Sequence, residues 1–162
     1  MARFYALLAN GGKLVTPHLA SAIEQGGPTK GPSHGALVLR SYQAPVKELN
    51  LDPGAISAIR AGLFDATHSS LGTSSSVFGN YPIPIAGKTG TAETHADSNG
   101  YAVPTDTSWW CGFGPYEAPS LVVCAVIENG GFGGEAAAPS ALQVFEEWFH
   151  KKAGDVSTER TD

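Results

Sequence analysis

Residues 83–93 read Ile-Pro-Ile-Ala-Gly-Lys-Thr-Gly-Thr-Ala-Glu, and this stretch decides how the rest of the chain is interpreted. Pro82 and Pro84 favour extended backbone at its start, because a residue before proline is pushed out of the helical region. Two later apolar runs, Ser108–Phe113 and Leu121–Glu128, are separated by a Gly114-Pro115 turn, which is typical of a hairpin. The sequence therefore predicts strands over Ile83–Glu93 and over both runs, the last two being antiparallel.

Three helices are predicted around these strands. The first covers Met1–Ala9 and stops at Asn10-Gly11-Gly12, where glycine permits the left-handed cap. The second starts at Asp52-Pro53, with Asp52 as N-cap, and runs to about Ala66. The third covers Ala136–Lys152, with Gly154 as its stop signal. Apolar residues recur at helical spacing in the last two helices, at Ile56, Ile59, Leu63, Phe64, Leu142, Phe145, Trp148 and Phe149.

The remaining segments are interpreted as connections and one further strand. Lys13–Ile23 is a connector with a short extended piece, and Ala36–Tyr42 is short and rich in Val and Leu, as strands are. The Ser-, Gly- and Thr-rich stretch His68–Asn80 and the polar stretch Thr94–Asp106 are expected to be solvated loops. The predicted fold class is α+β, with an antiparallel sheet flanked by helices.

Composition excludes several classes of function. The chain has 162 residues, which suits one domain, and a formal net charge of −5, the wrong sign for binding a phosphate backbone. The longest apolar run, Leu121–Ile127, is far short of the roughly 20 residues of a membrane span. Two cysteines and five scattered histidines give no zinc-binding pattern. We therefore expect no nucleic acid, no metal and no membrane span in these residues.

The Lys-Thr pair within the quoted stretch has two chemical interpretations. A phosphate-binding loop would need glycine at position 82, where Pro82 stands. The better interpretation is a strand that faces a cleft, in which the Lys88 ammonium and the Thr89 and Thr91 hydroxyls bind a substrate carboxylate. Gly90, which has no Cβ, would let the ligand approach the strand. The plain alternative is an edge strand whose lysine discourages aggregation.

Other short motifs before and after residues 83–93 make the interpretation of this stretch more specific. Ser108-Trp109-Trp110-Cys111-Gly112-Phe113-Gly114-Pro115 follows it, then Leu121–Asn129, while Asn10-Gly11-Gly12 and Gly72-Thr73 precede it. Taken together, these strings resemble the C-terminal portion of the catalytic domain of penicillin-binding protein transpeptidases. The likeness covers about Met1–His150 and is greatest to the monofunctional class B enzymes. It implies a β-lactamase/transpeptidase-like fold of which only the C-terminal part is present.

The resemblance also implies roles for individual residues. Lys88 would position the terminal carboxylate of the substrate, Thr89, Gly90 and Thr91 would form the substrate-binding strand, and the Thr91 backbone N–H would be half of the oxyanion hole. The reaction implied is acyl transfer through a serine ester, from D-Ala-D-Ala stem peptides, with penicillins acylating the same serine. No cofactor is implied. The implied location is extracytoplasmic at a bacterial membrane, beside a lipid-linked glycan polymerase.

The chain departs from the family in one respect that limits these expectations. No serine has a lysine three residues later, and a Ser-x-Asn motif is missing, since Asp97-Ser98-Asn99 has the wrong order and place. We therefore expect residues 1–153 to be part of a larger transpeptidase domain and residues 154–162 to be a polar tail. Without the upstream half of the domain, the chain is expected to be inactive and to self-associate. Alternative functions are a non-catalytic scaffold of cell-wall assembly and a fragment of a serine β-lactamase.

Several single residues have competing interpretations. The hairpin register pairs Cys111 with Cys124; buried free thiols are slightly favoured over a disulfide. Trp109 and Trp110 are expected in the core. Glu93 is interpreted as a solvated or ion-paired carboxylate rather than a base. His95, Asp97 and Asp106 are expected to be ordinary polar loop residues, and a role at the rim of the cleft is the alternative. A structural or solvent-exposed role is expected for His18, His34, His68, His150, Ser69, Ser70 and Ser74–Ser76.

Overall fold

A computed structural model describes residues 1–24, 38–93 and 106–154. The elements in chain order are α1 (Ala2–Ala9), β1 (Lys13–Leu14), β2 (Ala22–Glu24), β3 (Val38–Ser41), β4 (Lys47–Glu48), α2 (Pro53–His68), α3 (Ser75–Phe78), β5 (Ala86–Ala92), β6 (Thr107–Gly114), β7 (Leu121–Ile127) and α4 (Ala137–Phe149). The predicted strand at Ala36–Tyr42 is present as β3, which pairs with β2. The pairing of β1 with β4 was not predicted. His34, His95, Asp97 and the expected tail from residue 155 onward lie outside the described residues.

The central sheet consists, in the described residues, of β5, β6 and β7 in that order, all antiparallel. The predicted hairpin is confirmed, with Lys88 opposite Cys111 and Cys111 opposite Cys124. Strand β5 begins three residues later than expected. The carbonyl of Pro84, just before it, accepts a hydrogen bond from the Tyr116 amide instead of joining the ladder.

One face of the sheet is covered by α4 and α3. Trp110 is fully buried and stacks on Phe78, with ring centroids 4.6 Å apart, while Phe145 of α4 meets Trp110 edge-on at 5.9 Å. Two glycines that face each other in the register, Gly87 and Gly112, make room for the indole. Aromatic burial of this kind contributes much of a small domain's hydrophobic stabilisation, and here it fixes β5 against β6.

The opposite face of the sheet is covered by α1 and by the second half of α2, which contributes Leu63 and Phe64. Tyr5 and Ala9 of α1 pack with Phe113, and Trp109 is half-buried against the same cluster. Both tryptophans therefore pack on the sheet, on opposite faces, as strand alternation requires. Arg60 of α2 ties these parts together, because its guanidinium donates to the carbonyls of Leu8, Ala9 and Tyr116.

Helix α2 begins as predicted, because the Asp52 carboxylate accepts from the Gly54 and Ala55 amides at 3.3 and 3.0 Å. The C-terminal end of α4 differs from the prediction. The helix ends at Phe149 rather than running to Lys152, and the residue that caps it, His150, adopts a left-handed conformation with φ of 53°. The predicted apolar face is also too wide, since Trp148 is 58% exposed whereas Phe145 is fully buried. Packing against the sheet uses a narrower stripe of α4 than the spacing suggested.

Two further expectations are wrong. The stretch 68–80 is not entirely a solvated loop, since it contains α3, and Ser74 is fully buried, accepting from Trp110 Nε1 at 3.3 Å. Cys111 and Cys124 are joined as a disulfide, whereas free thiols were favoured. The physical reason is the register, which brings their Cα atoms to 4.2 Å across neighbouring strands.

Candidate functional site

A cleft of about 450 Å³ runs along the free edge of β5. Its floor is formed by Thr89 and Thr91, which project from the same face of the strand. One wall comes from the segment around Thr73, and the other from the turn between β7 and α4. The residues that line the cleft are Thr73, Ser76, Thr89, Thr91, Phe132, Gly133, Gly134 and Glu135.

Lys88 stands at the edge of this cleft in a defined conformation. Its Nζ atom lies 3.0 Å from Thr89 Oγ1, 3.2 Å from the Thr89 carbonyl and 3.2 Å from Thr73 Oγ1. Neighbouring side chains of a strand point to opposite faces, so the lysine reaches these oxygens by folding over the free edge. Among the described residues no carboxylate pairs with this ammonium. As far as residues 1–24, 38–93 and 106–154 are concerned, its charge is therefore open to an anionic ligand.

In the sequence, Thr73 is recognisable only as part of a Gly-Thr pair, and no role is predicted for its side chain. The structure places its hydroxyl 2.8 Å from Thr89 Oγ1 as well as within reach of Lys88. The backbone around it is constrained, since a Cβ on Gly72 would lie 2.6 Å from the Asp65 carbonyl. Buried Ser74 follows it directly and donates from both its amide and its hydroxyl to the Ala66 carbonyl.

Thr91 is held from the other wall. Its hydroxyl oxygen accepts a hydrogen bond from the Gly133 amide at 3.3 Å, which leaves the hydroxyl proton available to a ligand. Gly133 lies directly against β5, because an added Cβ would meet the Gly90 and Trp109 carbonyls at 2.5 Å. No local sequence pattern links residues 91 and 133, so this contact could not be predicted from the sequence.

The turn between β7 and α4 is held in place by the buried side chain of Ser108. Its hydroxyl donates to the Phe132 carbonyl and accepts from the Ala137 amide, each at 3.0 Å. Asp106 contributes through its backbone, since its carbonyl accepts from the Gly131 amide. Asp106 does not line the cleft in the described part of the chain, and its alternative role at the rim stays a prediction. Glu93 is exposed just beyond β5, as expected for a solvated carboxylate.

The arrangement brings together all the site residues predicted from the sequence. Lys88, Thr89, Gly90 and Thr91 follow one another along the edge strand, and the hydroxyls of Thr73 and Thr89 contact the Lys88 ammonium. A cation with convergent O–H donors is suited to bind a carboxylate. In the described parts of the chain no cluster of three or more metal-binding side chains occurs.

Comparison with known proteins identifies the family. Residues 1–146 match the family described as "Penicillin binding protein transpeptidase domain". The chain belongs to this family. The recognition made from the sequence motifs is thus confirmed, and so is the α+β fold, because solved transpeptidase structures superimpose on it.

Individual relatives point to the class B transpeptidases. The peptidoglycan D,D-transpeptidase MrdA of Haemophilus influenzae is 29% identical over 167 residues, which is 96% of this chain and 24% of that protein. The crystal structure of Pseudomonas aeruginosa PBP2 in complex with WCK 5153 superimposes with a TM-score of 0.67 and 30% identity, over 99% of this chain and 32% of that one. The chain spans about a quarter of the length of these MrdA relatives.

A third relative was solved in an assembly described as a peptidoglycan synthase complex that coordinates polymerization and crosslinking. It is 28% identical, with a TM-score of 0.64, over 98% of this chain and 24% of that one. None of the described helices of the present transpeptidase chain combines the length and the apolar character that crossing a membrane requires.

Proposed function

We propose that this chain supplies the carboxylate-binding strand and one oxyanion-hole amide of a peptidoglycan D,D-transpeptidase. The observation that carries the proposal is the Lys88 ammonium, which lies on the cleft edge with no carboxylate partner among the described residues and is surrounded by the hydroxyls of Thr73 and Thr89. A cation that has no carboxylate partner in the described part of the chain and lies beside two hydroxyls favours a ligand that ends in a carboxylate. The D-Ala-D-Ala stem peptide has such an end.

In the proposed reaction, Lys88 attracts the terminal carboxylate of the stem peptide, and Thr89 and Thr91 donate hydrogen bonds to it. This places the peptide along β5. Because Gly90 has no side chain, the peptide can approach the strand backbone closely there. A serine oxygen attacks the penultimate carbonyl, an acyl-serine ester forms, and the terminal D-alanine leaves as an amine. The Thr91 backbone N–H donates to the oxyanion that develops on that carbonyl, a contribution typically of a few kcal/mol.

The serine must come from outside these residues, because the chain has no Ser-x-x-Lys motif. We therefore propose that the upstream half of the transpeptidase domain is an obligatory partner and that this chain alone forms no acyl-enzyme. Residues 1–153 are proposed to belong to that domain and 154–162 to be a polar tail. The reaction needs no metal or nucleotide, since serine and protein donors suffice.

The wider setting follows from the relatives. Because a similar chain occurs in a peptidoglycan synthase complex, we propose that the complete protein works beside a lipid-linked glycan polymerase, on the extracytoplasmic side of a bacterial membrane. β-Lactams, which carry a carboxylate beside their reactive ring, are proposed to bind the same strand.

The test is the intact mass of the protein after incubation with a penicillin. The chain is examined alone and together with a separately produced upstream segment that carries the missing serine motifs. We expect an adduct on the upstream segment only when both are present, and a severe loss of that adduct with Lys88→Ala. An adduct on this chain alone would show that one of its own serines is the nucleophile and would refute the proposed division of the site.

A second candidate function is a non-catalytic scaffold of cell-wall assembly. The absence of both serine motifs from these 162 residues favours it. This alternative predicts no adduct in any mixture, and it predicts that Lys88→Ala leaves the cellular role of the protein intact. The two functions are therefore separated by the same variant.

A further inference from the structure

Thr73 occupies an unusual place for an exposed threonine. It precedes β5 by 13 residues, yet its hydroxyl lies between the Lys88 ammonium, at 3.2 Å, and the Thr89 hydroxyl, at 2.8 Å. An exposed hydroxyl is ordinarily satisfied by water. Here it is instead bonded to the two side chains that the proposed function places on the substrate carboxylate.

We infer that Thr73 is a positioning residue that fixes Lys88 and Thr89 for binding a carboxylate. The inference rests on the proposed function and adds to it a residue outside the Lys-Thr-Gly strand. Lysine carries a flexible four-carbon chain and loses considerable rotamer freedom when it is held in one place. Thr73 Oγ1 is the one contact of the ammonium that comes from outside the pair Lys88-Thr89, among the residues that the structure describes.

The count of donors and acceptors explains why a hydroxyl is needed at this position. The ammonium has three protons, and its three contacts are Thr73 Oγ1, Thr89 Oγ1 and the Thr89 carbonyl. A hydroxyl offers two acceptor sites and one proton. Thr73 and Thr89 therefore accept from Lys88, and Thr89 donates to Thr73. One O–H of the pair remains unused within the network and is available to a ligand carboxylate.

The backbone holds Thr73 in place from both sides. Gly72 has no room for a side chain, with the Asp65 and Ala66 carbonyls 2.6 and 2.7 Å from where its Cβ would stand. On the other side Ser74 is fully buried and accepts from Trp110 Nε1. Trp110 lies opposite Thr89 in the register of β5 and β6. The position of Thr73 and the position of the strand are thus set by the same buried tryptophan.

The test compares acylation rates in the complete transpeptidase, assembled from this chain and the segment with the serine motifs. The probes are a penicillin and its methyl ester, which has no free carboxylate. Thr73→Val keeps the shape but removes the oxygen, and Thr73→Ser keeps the hydroxyl. Thr16→Val is the matched control, because Thr16 is also exposed and its hydroxyl bonds to the Pro45 carbonyl, outside the cleft lining.

We expect Thr73→Val to lower the second-order acylation rate with the penicillin by about tenfold, the low end for hydrogen bonds to charged groups. With the methyl ester the variant should match the wild type, and Thr73→Ser should recover most of the rate with the penicillin. An unchanged rate with the penicillin, or equal losses with both probes, would overturn the inference and leave the proposed function standing. A wild-type protein that forms no adduct at all would overturn the proposed function and this inference with it.

Discussion

Replacing Gly87 by alanine is expected to destabilise the fold, because the indole of Trp110 occupies the space that a methyl group would need. An added Cβ would lie 2.2 Å from Trp110 Cζ2 and 2.7 Å from Cη2, whereas ordinary van der Waals contact begins at 3.4 Å. Trp110 is fully buried between Phe78 and Phe145 and cannot retreat without moving them. Overpacking of a well-filled core costs about 1–3 kcal/mol of unfolding free energy.

The chain provides a matched control for this substitution. Gly62 lies within α2, and an added Cβ there has no heavy atom within 4 Å. Gly62→Ala should raise the free energy of unfolding by about 1 kcal/mol, since alanine is the better helix former. The assay is urea unfolding of the wild type and of both variants, followed by tryptophan fluorescence. We expect shifts of opposite sign for the same chemical change.

A double-mutant cycle assigns the loss to the indole. In a Trp110→Leu background the atoms that lie closest to the added methyl are gone, so Gly87→Ala should cost less there by about 1 kcal/mol or more, within the usual range of coupling between contacting residues. If Gly87→Ala cost the same in both backgrounds, the strain would come from the backbone and not from Trp110. If Gly87→Ala were as stable as the wild type, the packing argument itself would be refuted.

Two smaller effects can be measured by the same urea assay. Asp52→Ala should lower the free energy of unfolding by about 1 kcal/mol, because the Gly54 and Ala55 amides lose their hydrogen-bond acceptor. Asp52→Asn should retain most of the wild-type stability, since asparagine is also a good N-cap. Equal losses in the two variants would indicate that the charge of Asp52, and not its hydrogen bonds, stabilises the helix. Burial raises the pKa of Tyr5 above its ordinary value of 10.0, so above pH 10 the unfolded state loses this proton more readily than the folded state, and stability falls as the pH rises. Tyr5→Phe should reduce that alkaline loss, and an identical pH profile in the variant would contradict this reasoning.

Elements with a strong local pattern were predictable from the sequence. The hairpin of β6 and β7 was found with its register, and α2 was found with its N-cap, because alternation, turn residues and capping depend on neighbours in the chain. The pairing of β1 with β4 was missed, since each strand has only two residues and no periodic signal. The predicted end of α4 was too late in the sequence. The helix is stopped by the left-handed conformation of His150, and a non-glycine residue in this conformation is too uncommon to be predicted from the sequence.

The candidate site was predictable only along its own strand. Lys88, Thr89, Gly90 and Thr91 are adjacent in sequence, so a motif could identify them. Thr73 and Gly133 come from elsewhere in the chain, and their contacts with Thr89 and Thr91 arise only when loops pack on the sheet edge. No spacing rule connects them.

The sequence by itself determined the fold class, the family and the position of the strand that we propose to bind a carboxylate, because these depend on residue types in a fixed local order. Only the tertiary structure decided how Lys88 is oriented, which residue supports it and whether Cys111 meets Cys124 in a disulfide. The burial of Ser74 was likewise decided by packing, since it follows from the place of Trp110 between α3 and α4. The contacts of Lys88 with Thr73 and of Ser74 with Trp110 join residues that are far apart along the chain, and their geometry is set by close packing around the sheet, which local sequence patterns do not encode.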